Sequence, residues 1–162
     1  MKLTLVSLLI SSVSTISVLS QSMSQESLHE VITAYAKVIS KQDNVIVFEY
    51  ESCQLVCISD TAADRMRIVS EIVEAEKLPI EQLVVSMHAN FHTALDARYA
   101  IGNGYLYSAF IHPLSPLTVA QIQSAVRQVA YLKLTFGTEY SSGELVFPGT
   151  EEPEPEDGST EI

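Results

Sequence analysis

The sequence predicts a single α+β domain in which an antiparallel β-sheet is packed by three helices. The chain has 162 residues, a length that suits one domain with a substantial apolar core. Residues 83–147 read as helix, β-hairpin and helix, and residues 28–59 read as a helix followed by short β-branched segments. Since hairpins join antiparallel strands, the sheet is expected to be antiparallel.

A capping-box pattern predicts the start of the first helix. Ser27-Leu28-His29-Glu30 carries Ser and Glu at the spacing of that motif. Apolar side chains then recur at helical spacing on one face, at Leu28, Val31, Ile32, Tyr35, Val38 and Ile39. Asp43-Asn44 is expected to end this helix, and residues 45–50 and 54–59 are predicted to form the next two strands.

Two interpretations are open for residues 65–73. A helix would place Met66, Val69, Ile72 and Val73 on one face. A strand would instead alternate Met66, Ile68 and Ser70 with Arg65, Arg67 and Val69. Periodicity alone does not decide between them.

The second half of the chain predicts a helix, a hairpin and a third helix. Pro79 suits the first turn of a helix that ends near Thr93, and one face of it carries Ile80, Leu83, Val84, Met87 and Phe91. Gly102-Asn103-Gly104 supplies the turn of a hairpin between residues 95–101 and 105–112. A second capping box, Thr118 with Gln121, opens a helix lined by Ile122, Val126, Val129, Leu132 and Phe136, which Gly137 ends.

Residues 1–22 have the pattern of a secretory signal peptide. Lys2 precedes an uncharged stretch up to Ser20, and small residues favour cleavage near Ser20 or Ser22. The mature protein is therefore expected to be periplasmic or secreted, without stable membrane insertion. The alternative is an uncleaved anchor, because the uncharged stretch just reaches the length of a membrane-spanning helix.

The chain is strongly acidic. Removal of Lys2 with the leader leaves 8 basic and 20 acidic residues, a net charge of −12, which disfavours nucleic acid as a partner. Six of the acids fall in residues 149–162, where Pro153 and Pro155 separate them. We expect this segment to be a disordered acidic tail that follows a folded domain of residues 23–148.

Three segments resemble parts of the type III secretion chaperone-like superfamily, which includes the YbjN-type domains. They are Ala89-Asn90-Phe91, residues 106–110 and the run from His112 to Thr118, within residues 24–147. The resemblance implies the element order α-β-β-β-α-β-β-α with about five strands, and it favours a strand at residues 65–73. It also implies a small acidic protein, often dimeric, that binds segments of other proteins along its surface.

The cysteines and histidines are candidates for disulfide or metal chemistry. Cys53 and Cys57 are four residues apart, too far along one strand for a disulfide unless Cys53 lies in a turn that folds back, and Cys57 is expected to be a buried structural thiol. His88 and His92 have the spacing of two metal ligands on a helix, and Asp96 or His112 could complete a site. Ala89 stands where zinc proteases carry a catalytic Glu, so a peptidase is not expected; helix-surface or core-edge histidines are the simpler interpretation.

Two further groups have structural and functional interpretations. Asp60, Asp64, Arg65 and Arg67 form a charged cluster around a turn, where solvated turn chemistry is favoured over substrate binding. Tyr99, Tyr105, Tyr107 and Phe110 lie on one hairpin, where core packing is favoured. If exposed, this face would suit a peptide or a second copy, and the hairpin edge could accept an added strand.

Together these observations predict an exported, non-enzymatic protein-binding or chaperone-like module that forms a homodimer. No catalytic, cofactor or metal site is assigned, and the expected partner is a protein or a second copy. One alternative is a metal-binding envelope protein that uses His88 and His92. Another is an enzyme or stress factor whose site has no recognisable sequence pattern.

Overall fold

The computed structural model describes residues 22–143. The leader up to residue 21, the acidic tail at residues 149–162 and the apolar stretch Leu145-Val146-Phe147 lie outside the described residues. Within residues 22–143, no helix has the length and apolar character needed to cross a membrane.

The described chain contains three α-helices and six β-strands. In order they are α1 (Gln25–Tyr35), β1 (Lys37–Gln42), β2 (Val45–Tyr50), β3 (Cys53–Asp60), β4 (Arg65–Glu74), α2 (Ile80–His92), β5 (Arg98–Gly102), β6 (Tyr105–His112) and α3 (Val119–Leu134). The strands form one antiparallel sheet in the order β1-β2-β3-β4-β6-β5. The expected α+β class and the three helices are confirmed, whereas the expected count of about five strands is one too low.

The additional strand is β1. The helical pattern that included Val38 and Ile39 was wrong beyond Tyr35, because the chain turns extended at Ala36 and pairs with β2. Val38 lies opposite Phe48, and Gln42 lies opposite Val45. Both Val38 and Ile39 are β-branched, which suits a strand better than a helix.

The first helix also begins earlier than its capping-box pattern predicts. Ser24 is the N-cap, and its hydroxyl accepts a hydrogen bond from the Ser27 amide at 3.1 Å. Ser27 and Glu30 therefore lie inside α1 rather than at its entry. The second capping box is confirmed, since Thr118 and Gln121 bond each other's backbone amides at the start of α3.

Residues 65–73 form a strand, as the resemblance implied. β4 lies in the interior of the sheet, between β3 and β6. Val69 pairs with Val56 on one side and with Ala109 on the other. The strand interpretation is correct because β6 pairs with this segment from Met66 to Glu74 and β3 pairs with its first half, from Arg65 to Val69.

Helices α1 and α3 cover one face of the sheet. The side chains pointing to that face are buried, including Phe48, Leu55, Ile68 and Leu106. Polar groups there bond to the backbone of α3: the Ser108 hydroxyl donates to the Val129 carbonyl, and the Tyr99 hydroxyl donates to the Leu132 carbonyl. These bonds satisfy hydroxyls that would otherwise be unpaired in the core.

Both cysteines are free and buried, which confirms the prediction for Cys57. They lie on the same face of β3, and burial raises the pKa of Cys57 to about 12. Burial also raises the pKa of Cys53. Because the thiolate is the reactive form, these thiols are structural rather than nucleophilic.

The charged turn between β3 and β4 is a structural feature. The Asp60 carboxylate accepts hydrogen bonds from the amides of Ala62 and Ala63. The Asp64 carboxylate accepts bonds from the amide and hydroxyl of Ser115, which hold its pKa below the ordinary value. These bonds join the turn to the loop before α3. They confirm that the two aspartates have a structural role in the turn.

His29 is a buried imidazole on α1 without a hydrogen-bond partner at Nε2 among the described residues. Burial lowers the pKa of His29 below its ordinary value of 6.5, and the positive charge of Lys41 on β1 lowers it further. A proton therefore binds this imidazole more readily in the unfolded chain than in the folded one. The contribution of His29 to folding stability is fully present above pH 6.5 and declines as the pH falls below it.

We predict that His29→Leu removes part of this pH dependence. Leu fills a similar volume without a titrating group, so the variant should lose less stability than the wild type between about pH 7.5 and about pH 5.5. Urea unfolding at the two pH values measures the difference. His88→Gln on the surface of α2 is the matched control and should behave as the wild type. Equal losses of unfolding free energy in the wild type and in His29→Leu would contradict the role of His29 in this pH dependence.

Candidate functional site

The face of the sheet opposite α1 and α3, here called the open face, is apolar at its centre. One row crosses four neighbouring strands through Val47, Val56, Val69 and Ala109, each paired with the next. A second row runs through Val45, Ile58, Arg67 and Ile111. Antiparallel sheets that face water usually carry polar side chains on that side, so an apolar centre indicates a contact surface.

The open face is concave. A groove of 680 Å³ lies over β3, β4, β6 and β5, with Val56, Ile58 and Val69 among its lining residues. Arg67 and Glu71 enter it from β4, and Lys133 reaches it from the end of α3. The groove thus combines an aliphatic lining with charges of both signs.

The hairpin aromatics divide between the two faces of the sheet. Tyr99 and Phe110 are buried in the core, as predicted. Tyr105 and Tyr107 point to the open face and are half-buried, with ring centroids 6.3 Å apart. The expectation that all four pack in the core was therefore wrong for these two, whose aromatic surface extends the open face.

Helix α2 exposes the side chains that an amphipathic helix normally buries. Ile80, Val84, Met87 and Phe91 are 64%, 49%, 45% and 79% exposed. Their spacings of four, three and four residues place them in one stripe. The sequence predicted a sheet packed by three helices, and an amphipathic helix usually packs by its apolar face, but these four side chains of α2 are exposed.

The side of α2 that faces its own domain is small and polar. Ser86 and Ala89 are its buried residues, and Asn90 provides the most specific contact. The Asn90 carboxamide oxygen accepts from the Tyr99 amide at 2.7 Å, and its amide group donates to the Tyr99 carbonyl at 3.1 Å. Asn90 therefore bonds the outer edge of β5 as a neighbouring strand would.

The two edges of the sheet are poorly suited to strand addition. At the β5 edge, Asn90 occupies the backbone groups of Tyr99 that an added strand would need. At the other edge, β1 has a bulge between Val38 and Ser40 and carries Lys37 and Lys41. Bulges and edge lysines are common devices against edge-to-edge pairing, so the faces are better candidates than the edges.

His88 and His92 do not lie close to the other side chains that were candidates for a shared metal site. His88 is exposed and His92 is half-buried, with ring centroids 6.4 Å apart. Asp96 and His112 line a separate 340 Å³ cleft beside α3. Residues 22–143 contain no group of three or more His, Cys, Asp or Glu side chains placed to hold a metal ion.

We predict that Asn90→Ala loosens α2 from the sheet edge. The substitution removes both bonds to Tyr99, and leaving part-buried backbone groups unpaired costs about 1–3 kcal/mol. The exchange rate of the Tyr99 amide hydrogen, measured by NMR, should increase strongly. Gln82→Ala on the same helix should leave that rate unchanged, and unchanged protection in Asn90→Ala would contradict this role.

Comparison with known proteins supports the fold. No protein-family model and no curated protein matches the sequence. Among solved structures, a chain of the "Structure of the HopA1-SchA Chaperone-Effector Complex" superposes with a TM-score of 0.52 at 10% sequence identity. The superposition covers 67% of this chain and 88% of that chain. The chain therefore shares the fold of a component of a chaperone–effector complex, in agreement with the chaperone-like architecture expected from sequence.

Proposed function

We propose that this protein is an exported, non-enzymatic, homodimeric module that binds other proteins in a chaperone-like manner. The observation that carries the proposal is the reversed polarity of α2, which buries Ser86 and Ala89 and exposes Met87 and Phe91. Large exposed apolar patches mark interaction sites in soluble proteins. The shared fold with a component of a chaperone–effector complex supports the same function, as does the resemblance to YbjN-type domains.

The homodimer is proposed to form through the exposed stripe of α2. Its residues Ile80, Val84, Met87 and Phe91 follow the heptad spacing by which two identical helices interlock their side chains. A two-fold contact needs a surface that complements itself, and a uniform apolar stripe meets this need. The open face then remains available for a partner protein.

We predict that Met87→Ser combined with Val84→Ser halves the mass of the mature protein in light scattering. Both side chains are largely exposed within one copy, so the stability of the single chain should change by less than about 0.5 kcal/mol. Val119→Ser, at an exposed apolar position on α3, should keep the mass of the wild type. A wild type with the mass of one chain would contradict the dimer.

The partner-binding function is tested by crosslinking in the native host, followed by mass spectrometry. We expect a distinct protein to be recovered with the wild type and lost with Val69→Lys, because a charge at the centre of the open face disrupts an apolar contact. Val119→Ser should retain it. Recovery of this chain alone would contradict the binding of other proteins.

Export is proposed from the leader pattern at residues 1–22. Sequencing the amino terminus of the protein purified from its native host tests export. The mature chain should begin shortly after Ser20 or Ser22. An amino terminus at Met1 would contradict cleavage.

A further inference from the structure

Two charges of opposite sign flank the centre of the open face. Arg67 and Glu71 lie two residues before and two residues after Val69 on β4, and all three line the groove. The ion pairs within residues 22–143 join Lys37 to Glu49 and Lys77 to Glu74, and neither includes Arg67 or Glu71. Charges beside an apolar surface need opposite charges when that surface is covered.

The pattern along β4 is complementary to itself. Consider a second copy whose sheet packs face to face on this one. The two copies are related by a two-fold axis that lies midway between the sheets, runs perpendicular to β4 and passes next to Val69. Position 67 of one copy then lies opposite position 71 of the other, and Val69 lies opposite Val69. Each Arg67 thus faces a Glu71, and the row Val47, Val56, Val69 and Ala109 faces its own copy.

The distances suit such a contact. Two sheets packed face to face lie about 10 Å apart, a gap that an Arg and a Glu side chain together can bridge. Arg98 lies at the end of the central row, where the two-fold axis brings it near Arg98 of the second copy. The repulsion between the two is weakened because each guanidinium donates to the carbonyls of Leu95 and Ala97 at the sheet edge. A second copy of the chain therefore fits this charge pattern.

We propose that two copies close each other's open faces, sheet to sheet, through reciprocal Arg67–Glu71 pairs around Val69. The inference rests on the proposed function only in taking the open face as a binding surface. It adds regulation of that surface: a copy that covers it competes with any partner protein. The α2 contact alone gives the proposed dimer, and at protein concentrations where both contacts form, the second two-fold interface joins such dimers into larger assemblies.

Sedimentation equilibrium of the mature protein tests the proposal. A background of Val84→Ser and Met87→Ser removes the α2 stripe, so that the sheet contact is measured by itself. In this background the chain should still self-associate. Arg67→Glu or Glu71→Arg, each placing like charges opposite one another, should weaken the association about tenfold or more.

Charge exchange provides the decisive comparison. The double variant Arg67→Glu with Glu71→Arg should regain the association of the background. Mixing the two single variants should also restore it, because the two carboxylates on β4 of one chain then face the two guanidinium groups on β4 of the other. Lys77→Glu, which changes the net charge as Arg67→Glu does, should have no effect.

Three results would overturn the proposal. The first is a background protein that stays a single chain at all concentrations, which would leave the open face to a different partner. The second is association that Arg67→Glu does not weaken in folded protein, as judged by its thermal unfolding. The third is failure of both the double variant and the mixture to associate. A failed α2 dimer or a failed crosslinking experiment leaves these outcomes unaffected.

Discussion

The packing of α3 onto one face of the sheet is the interaction on which the rest of the structure depends. Val126, Val129 and Leu132 are fully buried against that face, and the carbonyls of Val129 and Leu132 accept hydrogen bonds from the hydroxyls of Ser108 and Tyr99. Because α1 and α3 lie on the same side, residues 22–143 form two layers and not three. Within that part of the chain, alternate residues of the strands on the other side are therefore left without a covering element.

This two-layer arrangement explains why apolar side chains collect at the surface. A third layer would cover Val56, Ile58 and Val69, and α2 is the remaining helix of residues 22–143. Instead α2 lies against β5 at the sheet edge, held by Asn90 and by small buried residues. Its own apolar stripe and the open face are consequently both left uncovered within residues 22–143.

The sequence predicted the elements well where one local pattern acted alone. The hairpin turn at Gly102-Asn103-Gly104 and the capping box at Thr118 needed no distant partner, and both are present. Val38 and Ile39 fitted a helical period by coincidence, and pairing with β2 decided their conformation. For residues 65–73, periodicity could not distinguish a helix from a strand, and pairing with β3 and β6 makes the segment a strand.

The candidate site was harder to predict, because periodicity identifies an apolar face without identifying what covers it. Met87 and Phe91 were recognised as one face of α2, but their exposure follows from the position of α2 at the sheet edge. Arg67 was assigned to a turn cluster, whereas strand register places it on the open face between Ile58 and Ile111. The small residues Ser86 and Ala89, on the side of α2 away from its apolar stripe, are the ones that the helix buries against its own domain.

Hydrogen exchange at low and high protein concentration tests the central claim, that the exposed stripe of α2 is a protein contact surface. In a single copy few side chains of α2 are buried, so its amides should exchange quickly when the protein is dilute. Slower exchange is expected in residues 80–92 at high protein concentration, with unchanged exchange in α3. Exchange in residues 80–92 that does not depend on concentration would contradict it.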